Sequence, residues 1–370
     1  MKKTLKIFGI IAVVVCLIVS AVACSNGSDD KIEVVAISNS EYTSAVDALK
    51  GYVKEELAYS RTYSNNETRE IVVAEYVSNE SKGEIAGDEI KLSDEQKTDF
   101  VSAEKYAVKV KVALAPDDGE SAKFSETTQT VYVLKYGEKF KFMVSTPEIG
   151  ERVTNSYVKM ITKAENYANC TVYAFSKGKE EDSDVAVFNG GSELKFTNDA
   201  SYRVYYGNET RYNSHTPGAT QDDEDSVSYF VKNGNKIAIV ESAYDIEEQK
   251  WVVYDIEESD EFSTIKECNE YMVNDDIFGM FSYAPAALYT MTATGFEVKV
   301  EEDNSFGGKT TSEYKIKVSD GKITEIYSID SQSSVEGQTT YVESMEQTIS
   351  ISAFGSTSVT VPSYVTEALK

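Results

Sequence analysis

The first thirty residues constrain this chain more than any other stretch, because they set the compartment in which the rest must fold. Three lysines within the first six residues precede an uncharged apolar run over residues 7–23, and Cys24 follows that run. The run is close to the shortest that crosses a bilayer, and lysines before such a run are favoured on the cytoplasmic side. Small residues lead into Cys24, as cleavage by a signal peptidase requires. We therefore predict a signal peptide over residues 1–23 and export of the remaining chain.

The end of this signal resembles the lipobox of bacterial lipoproteins, although Ala21 stands where that family prefers leucine. The resemblance implies that Cys24 receives a diacylglycerol and that palmitate-class chains hold the protein to the membrane, each buried CH₂ contributing about 0.8 kcal/mol. Residues 24–38 would then be the acylated cysteine and a polar tether. The expected location is the outer face of the cytoplasmic membrane in a cell of Gram-positive type. An uncleaved transmembrane anchor and an ordinary secretory signal with a chance cysteine remain as alternatives.

The charge of the chain limits its partners. The sequence contains 62 acidic and 36 basic residues and has a formal net charge of −26. Such a surface repels nucleic acid, so no nucleic-acid partner is expected. Solubility beside an anionic membrane explains this charge more simply than binding of cations. Three acidic clusters, at residues 180–182, 222–225 and 301–303, lack the spacing of an EF-hand loop.

The usual catalytic and metal-binding residue types are scarce. His215, the one histidine, lies in a predicted loop without a nucleophile motif beside it. Cys170 and Cys268 are the only cysteines after Cys24, too few for a zinc site. They could form a disulfide, but their apolar neighbours favour two buried free thiols. Phosphate-binding glycine motifs are also missing from the sequence. We expect no enzyme, no cofactor and no metal site.

Hydrophobic periodicity predicts an α+β fold with two domains. In the first, residues 39–147, a linker over 31–40 precedes a helix over 42–57, and a capping-box pattern at Ser93 predicts a short second helix. Strict alternation over residues 106–114 predicts the clearest strand. The result is a roll of one long helix and an antiparallel sheet, loosely similar to cystatin-like and nuclear-transport-factor-like folds.

The second domain, residues 148–370, is predicted to begin with a helix over 153–168 and to continue as many short strands. Asn233-Gly234 is the strongest hairpin signal in it. A helical insert over Phe262–Met272, with a shorter apolar piece over Ile277–Tyr283, interrupts the strands. We expect this insert to cross one face of the sheet.

The strand order and the closing Val359-Thr360-Val361-Pro362 tail resemble the LolA/LppX/LprG-type lipoprotein carriers. That resemblance covers about three fifths of the chain and is architectural. It implies a curved antiparallel half-barrel whose concave face is covered by helices. It brings no catalytic residues.

Two functions remain open. The first is a membrane-anchored carrier or binder of a hydrophobic, lipid-like ligand, held on the concave side by apolar residues of the insert. The second is a cell-surface module that binds an envelope protein or a glycan, with some of the 25 tyrosines exposed for recognition. The candidate ligand-binding residues of the first hypothesis are Phe262, Ile265, Met272, Phe278, Met280 and Phe281.

Overall fold

The fold is mixed α+β and is built mainly from antiparallel strands. The computed structural model describes residues 31–115, 122–180, 186–210, 220–222, 226–245, 247–282, 284–303, 307–336 and 339–370. The predicted signal peptide, Cys24 and His215 lie outside these residues. Within the described ranges, no helix combines the length and the apolar character that crossing a membrane demands.

The first sheet is antiparallel and has the strand order β1-β6-β5-β4-β3-β2. Helix α1 (Ala45–Tyr52) continues as a π-helical turn (Val53–Leu57) and packs against one face of this sheet. The strands are β1 (Ala36–Ile37), β2 (Tyr59–Thr62), β3 (Thr68–Ile85), β4 (Phe100–Leu114), β5 (Ser125–Tyr136) and β6 (Lys139–Val144).

The predicted alternating strand is confirmed within β4. Val108, Val110 and Val112 are buried under α1, whereas Lys109 on the opposite face is exposed. The pleat places successive side chains on opposite faces, so alternation in the sequence was enough to assign the buried face.

Two local predictions in this part of the chain are wrong. Residues 31–40 are not all linker, because β1 pairs with β6 and Ile32 bridges to Ile90. The stretch after Ser93 forms turns and not a helix. The reciprocal bonds of a capping box are present there: Ser93 N donates to Gln96 Oε1 (2.8 Å) and Gln96 N donates to Ser93 Oγ (3.2 Å). They stabilise only one turn, because β4 pairs with β5 from Phe100 onward.

The second sheet curls into a half-barrel and consists of two antiparallel meanders joined edge to edge where β7 pairs with β18. The first meander follows α2 (Asn155–Ile161) and a 3₁₀ turn (Ala164–Tyr167). Its strands are β7 (Cys170–Glu180), β8 (Ala186–Phe196), β9 (Ala200–Thr210), β10 (Thr220–Asp222), β11 (Ser226–Asn233), β12 (Lys236–Asp245) and β13 (Lys250–Glu258).

The second meander follows α3 (Ile265–Met272), which continues as a π-helical turn (Val273–Ile277) and two 3₁₀ turns (Gly279–Ser282 and Ala286–Leu288). The predicted insert is therefore helical, as expected. The remaining elements are β14 (Thr290–Thr292), β15 (Gly295–Asp303), β16 (Lys309–Ser319), β17 (Lys322–Glu336), β18 (Thr339–Ser352) and α4 (Ser363–Ala368).

The two meanders exchange their helices, in the sense that the helix preceding each meander packs against strands of the other meander. Tyr157 of α2 packs edge-on against Phe296 of β15, which belongs to the other meander. The Tyr167 hydroxyl donates to Ile161 O (2.7 Å) and accepts from Ile323 N of β17 (2.8 Å). In the opposite direction, α3 contacts β9 and β11, and Asn269 Nδ2 donates to Thr197 O (2.9 Å). Each half of the half-barrel is therefore covered by a helix from the other half.

A buried polar junction joins the two sheets. Both carboxylate oxygens of Glu56, at the end of the first π turn, accept from the backbone and side chain of Ser156 at the start of α2 (2.8 and 2.7 Å). In return, Asn155 Nδ2 donates to the carbonyls of Glu55 and Ala58 (3.0 Å each). Each helix end thus receives partners for the backbone groups that its own hydrogen bonds leave open.

A second set of contacts extends this junction. Gln129 of β5 pairs with the backbone of Arg152 through both ends of its amide (2.7 and 2.8 Å). Glu151 accepts from Thr130 N and Oγ1 (2.6 Å each) and from Glu148 N (2.9 Å), and burial raises the pKa of its carboxyl group. The first and second sheets are therefore held together by hydrogen bonds among partly buried polar groups.

The outermost strand of the half-barrel at one end is β13. Its pairing with β12 shifts register at Glu241/Ser242. Asp255 Oδ1 accepts from the backbone N–H of Ile256 (2.9 Å), and Glu257 and Glu258 follow. The strand is therefore bulged and strongly acidic.

The fold predicts different changes in stability when the hydroxyl group is removed from each of two fully buried tyrosines. Tyr167→Phe leaves the Ile323 N–H and the Ile161 carbonyl without their partner, so we expect it to lower the free energy of unfolding by about 1–3 kcal/mol. Tyr289 is equally buried, but within the part of the chain that the structure describes its hydroxyl has no hydrogen-bond partner. Tyr289→Phe should therefore be neutral or slightly stabilising. Chemical denaturation of both variants measures this, and equal losses would contradict the exchanged-helix contact.

Candidate functional site

A cavity of about 190 Å³ lies where the two meanders meet, between the concave face of the sheet and the second π turn. We call it the seam cavity. Strands β7, β8 and β18 supply its floor, and the π turn supplies its other wall. Its lining residues are Val172, Ala174, Ser192, Leu194, Asp276, Ile277, Gln347 and Ile349.

The strand register explains why these side chains converge. Ile349 of β18 is paired with Ala174 of β7, and Ala174 is paired with Ser192 of β8. Directly paired residues in antiparallel strands point to the same face, so the three form one row across the seam. Two residues further along each strand, the next row begins with Gln347 and Ser176, and Gln347 Nε2 donates to Ser176 Oγ (3.1 Å).

The seam cavity is therefore amphipathic. Its five aliphatic side chains form one part of the wall, while Ser192, Asp276 and Gln347 bring polar atoms to it. Asp276 already has an interaction within the protein. The eight lining residues that the structure describes include no histidine, cysteine or lysine. The arrangement suits apolar contact and hydrogen bonding with a small group.

The six candidate ligand-binding residues do not line the seam cavity. Ile265, Met272 and Phe278 are buried, and the last two belong to the large core under the half-barrel. Phe262, Met280 and Phe281 are half-buried and pack against that core. The insert thus covers the concave face as expected, and away from the seam cavity its side chains fill that face with protein.

Aromatic contacts show how completely this part of the concave face is filled. Tyr167 and Phe278 lie 4.9 Å apart between ring centres, and Tyr289 and Phe296 lie 5.3 Å apart, both pairs edge-on. Phe281 completes the group with centres 5.5 Å from Tyr289 and 6.2 Å from Phe296. Edge-on pairs at these distances are favourable beyond the area they bury.

The sequence contains a signal for the seam cavity that hydrophobic periodicity does not reveal. Inward positions of β7 and β8 hold small or polar residues, namely Ala174, Ser176, Gly190 and Ser192. Small side chains on a concave face leave space above them. The strand register is needed to see that these positions are neighbours.

The two cysteines of the folded chain are free and buried, as the sequence favoured. Cys170 Sγ donates to Tyr167 O (3.3 Å), and burial raises the pKa of its thiol to about 12. A thiol that stays protonated is a poor nucleophile and a poor metal ligand. Among the residues that the structure describes, no three His, Cys, Asp or Glu side chains come together as a metal site would require.

Comparison with known proteins finds no match for this chain among family models, curated proteins or solved structures.

A cavity-filling substitution tests whether the seam cavity is empty space. Ala174→Val adds two carbon atoms at its wall, so we expect the free energy of unfolding to rise by about 0.5–1 kcal/mol. The matched control is Ala238→Val. Ala238 is fully buried in a packed cluster, so the added atoms should cost about 1–3 kcal/mol. Denaturant titration of both variants gives the comparison, and a similar loss in the two would show that the seam is tightly packed.

Proposed function

We propose that this protein is an exported, lipid-anchored binding module without a catalytic role, which recognises an envelope protein or a glycan at its surface. The observation that carries the proposal is the filled concave face. A half-barrel that holds its own aromatic side chains is a rigid scaffold, and a rigid scaffold suits recognition by its surface. The proposal treats residues 39–147 and 148–370 as two domains fixed by the polar junction.

The size of the seam cavity supports this choice. Pockets for drug-sized ligands usually measure about 300–1,000 Å³, and the seam cavity measures about 190 Å³. A lipid with complete acyl chains requires more space than that. Opening more space would require the insert to leave the aromatic group that it now packs against.

Exposed aromatic residues on the end strands of the half-barrel give the module a surface for recognition. Tyr254 of β13 is 59% exposed, and Tyr244 of β12 packs edge-on against Trp251 at 5.7 Å between ring centres. Val252 and Ile256 of β13 are also exposed. Tyrosine and tryptophan are enriched at interfaces because they combine a large apolar body with a polar atom.

The seam cavity also favours a second candidate function, the carrier of a hydrophobic ligand that the resemblance to LolA-type proteins implies. An apolar cavity of about 150 Å³ is known to bind benzene. A ring-sized group of a larger amphiphile would therefore fit, with the rest of the molecule outside. In this case Gln347 and Ser192 would orient the polar end of that group.

Lipid binding separates the two functions, and substitution of Phe281 tests the packing of the concave face. If the concave face is packed core, Phe281→Ala should lower the free energy of unfolding by about 3 kcal/mol, the lower end for a phenylalanine because this one is half-buried. The control Tyr254→Ala should change it by less than about 0.5 kcal/mol. Binding of an environment-sensitive fluorescent lipid to the parent protein is measured in parallel. Saturable lipid binding by the parent protein would favour the carrier, whatever the stability of Phe281→Ala.

Lipidation is tested on Cys24 directly. We expect Cys24→Ala to abolish labelling by a radioactive or clickable palmitate in cells and to release the protein from the detergent phase after partitioning. Cys16→Ala, which lies inside the predicted signal peptide, is the control and should leave both properties unchanged. Acylation that persists in Cys24→Ala would refute the anchor.

A further inference from the structure

The floor of the seam cavity changes from aliphatic to polar along its strands. At one end, the directly paired Val172 and Leu194 form an aliphatic row. The middle row, described above, ends on Ser192. The third row holds Gln347 and its partner Ser176. The cavity therefore offers an aliphatic surface on one side and hydrogen-bonding groups on the other.

Two polar side chains at the cavity have hydrogen-bonding capacity left. Gln347 donates one amide N–H to Ser176 Oγ (3.1 Å), whereas its second N–H and its carbonyl oxygen have no partner in the described part of the chain. The half-buried Ser192 hydroxyl likewise forms no hydrogen bond with any residue that the structure describes. Water can satisfy such groups, and so can a ligand that presents hydroxyl groups in the same places.

The neighbouring strands restrict the Gln347 side chain. Gln347 is flanked by Ser176 on β7 and by the buried Ser328 on β17, each directly paired with it. The bond to Ser176 limits rotation of the amide group. Less conformational entropy is therefore lost when a ligand binds the remaining polar atoms of this side chain.

We propose that the seam cavity binds a single neutral sugar ring. A pyranose carries hydroxyl groups on its edge and C–H groups on its faces, so it presents the same two kinds of surface as the cavity. A cavity of about 150 Å³ holds benzene, so the seam cavity of about 190 Å³ accepts a six-membered ring with small substituents.

The open groups also favour a ligand without charge. A charged group that leaves water needs a counter-charge, and the amide of Gln347 and the hydroxyl of Ser192 supply none. Asp276, the charged residue of the lining, already has an interaction within the protein. The site goes beyond the proposed surface recognition and does not depend on it, and its ligand class differs from that of the lipid carrier.

The test uses the full-length protein in polyoxyethylene detergent micelles, because alkyl glycoside detergents carry a sugar themselves. The probe is methyl β-D-glucopyranoside, and benzene is the apolar comparison. The δ-methyl signals of Ile277 and Ile349 in a ¹H–¹³C spectrum report on the cavity, since both residues line it. The indole N–H of Trp251, the one tryptophan of the chain, reports on the aromatic end strands. We expect the glucoside to shift both isoleucine signals, to saturate at millimolar concentration and to leave the Trp251 signal in place.

Four variants decide the assignment. Gln347→Leu and Ser192→Ala each remove hydrogen-bonding groups and should weaken glucoside binding about two- to tenfold. Ala174→Val fills the cavity and should abolish the isoleucine shifts, while its expected gain in stability excludes unfolding as the cause. The matched control is Ser350→Ala. Ser350 is half-buried and follows Ile349 on β18, so it points to the opposite face of the sheet, and its loss should leave binding unchanged.

The proposal fails if the glucoside leaves both isoleucine signals in place. A shift of the Trp251 signal alone would place the sugar on the aromatic end strands, which overturns the cavity site but agrees with surface recognition. Shifts of the isoleucine signals with benzene and not with the glucoside would overturn it in favour of the carrier. Binding that is unchanged in Gln347→Leu and Ser192→Ala, or equally weakened in Ser350→Ala, would also contradict it.

Discussion

The pairing of β7 with β18 decides the shape of the second half of this molecule. These strands begin at Cys170 and Thr339, so their contact closes a very long loop of chain. Closure of such a loop carries an entropic cost that the contacts formed afterwards must offset. The main compensation is the exchange of helices. Because α2 covers strands of the second meander and α3 contacts strands of the first, neither meander can bury its concave face without the other. The seam cavity lies beside the same pairing because the row of Ile349, Ala174 and Ser192 crosses it.

The two sheets are joined in a different manner. Their junction relies on carboxylates, with Glu56 and Glu151 both buried and both fully engaged by donors. A buried carboxylate contributes little net stability, since desolvation offsets most of what its hydrogen bonds return. A buried carboxylate does, however, lose its hydrogen bonds in any other arrangement of the two sheets that displaces those donors, so such arrangements are unfavourable. We infer that the junction fixes one relative placement of the sheets, while the hydrophobic cores supply most of the stability. Ala287, which packs in the first core although it follows α3 in sequence, adds an apolar contact to the same placement.

Sequence patterns predicted this fold well where the pattern within one helix or strand was sufficient to assign it. Alternation identified β4, and apolar periodicity identified the helical insert, in which the structure adds a capping box of Thr264 and Glu267. The prediction failed where contacts with a distant part of the chain determine the local structure. The Ser93 stretch has the local bonds of a helix start, but pairing with β5 takes the following residues into β4. The candidate ligand-binding residues do not line the seam cavity, and the reason is the same. Apolar residues on the insert indicate a covered face, and only the register shows that the open space lies over the small residues of β7 and β8.

A repeated unit also escapes prediction from the sequence. The stretches 44–57 and 264–277 share a hydroxyl N-cap, an acidic third helical residue, an eight-residue α-helix and a five-residue π turn. The sequences agree mainly in residue class, so the repeat becomes clear only when the two helices are compared. Both turns end on two acids and an aliphatic residue, Glu55-Glu56-Leu57 and Asp275-Asp276-Ile277.

The bulged, acidic β13 has a consequence for a protein confined to a membrane surface. On the proposed lipid anchor, many copies would diffuse in two dimensions at a high local concentration, where regular outer strands tend to add to one another. Three features make this strand a poor template for a further chain. Its register shifts at Glu241/Ser242, the Asp255 carboxylate accepts from the Ile256 N–H, and negative charges follow. The half-barrel can therefore leave its aromatic end uncovered for a partner without polymerising along the sheet.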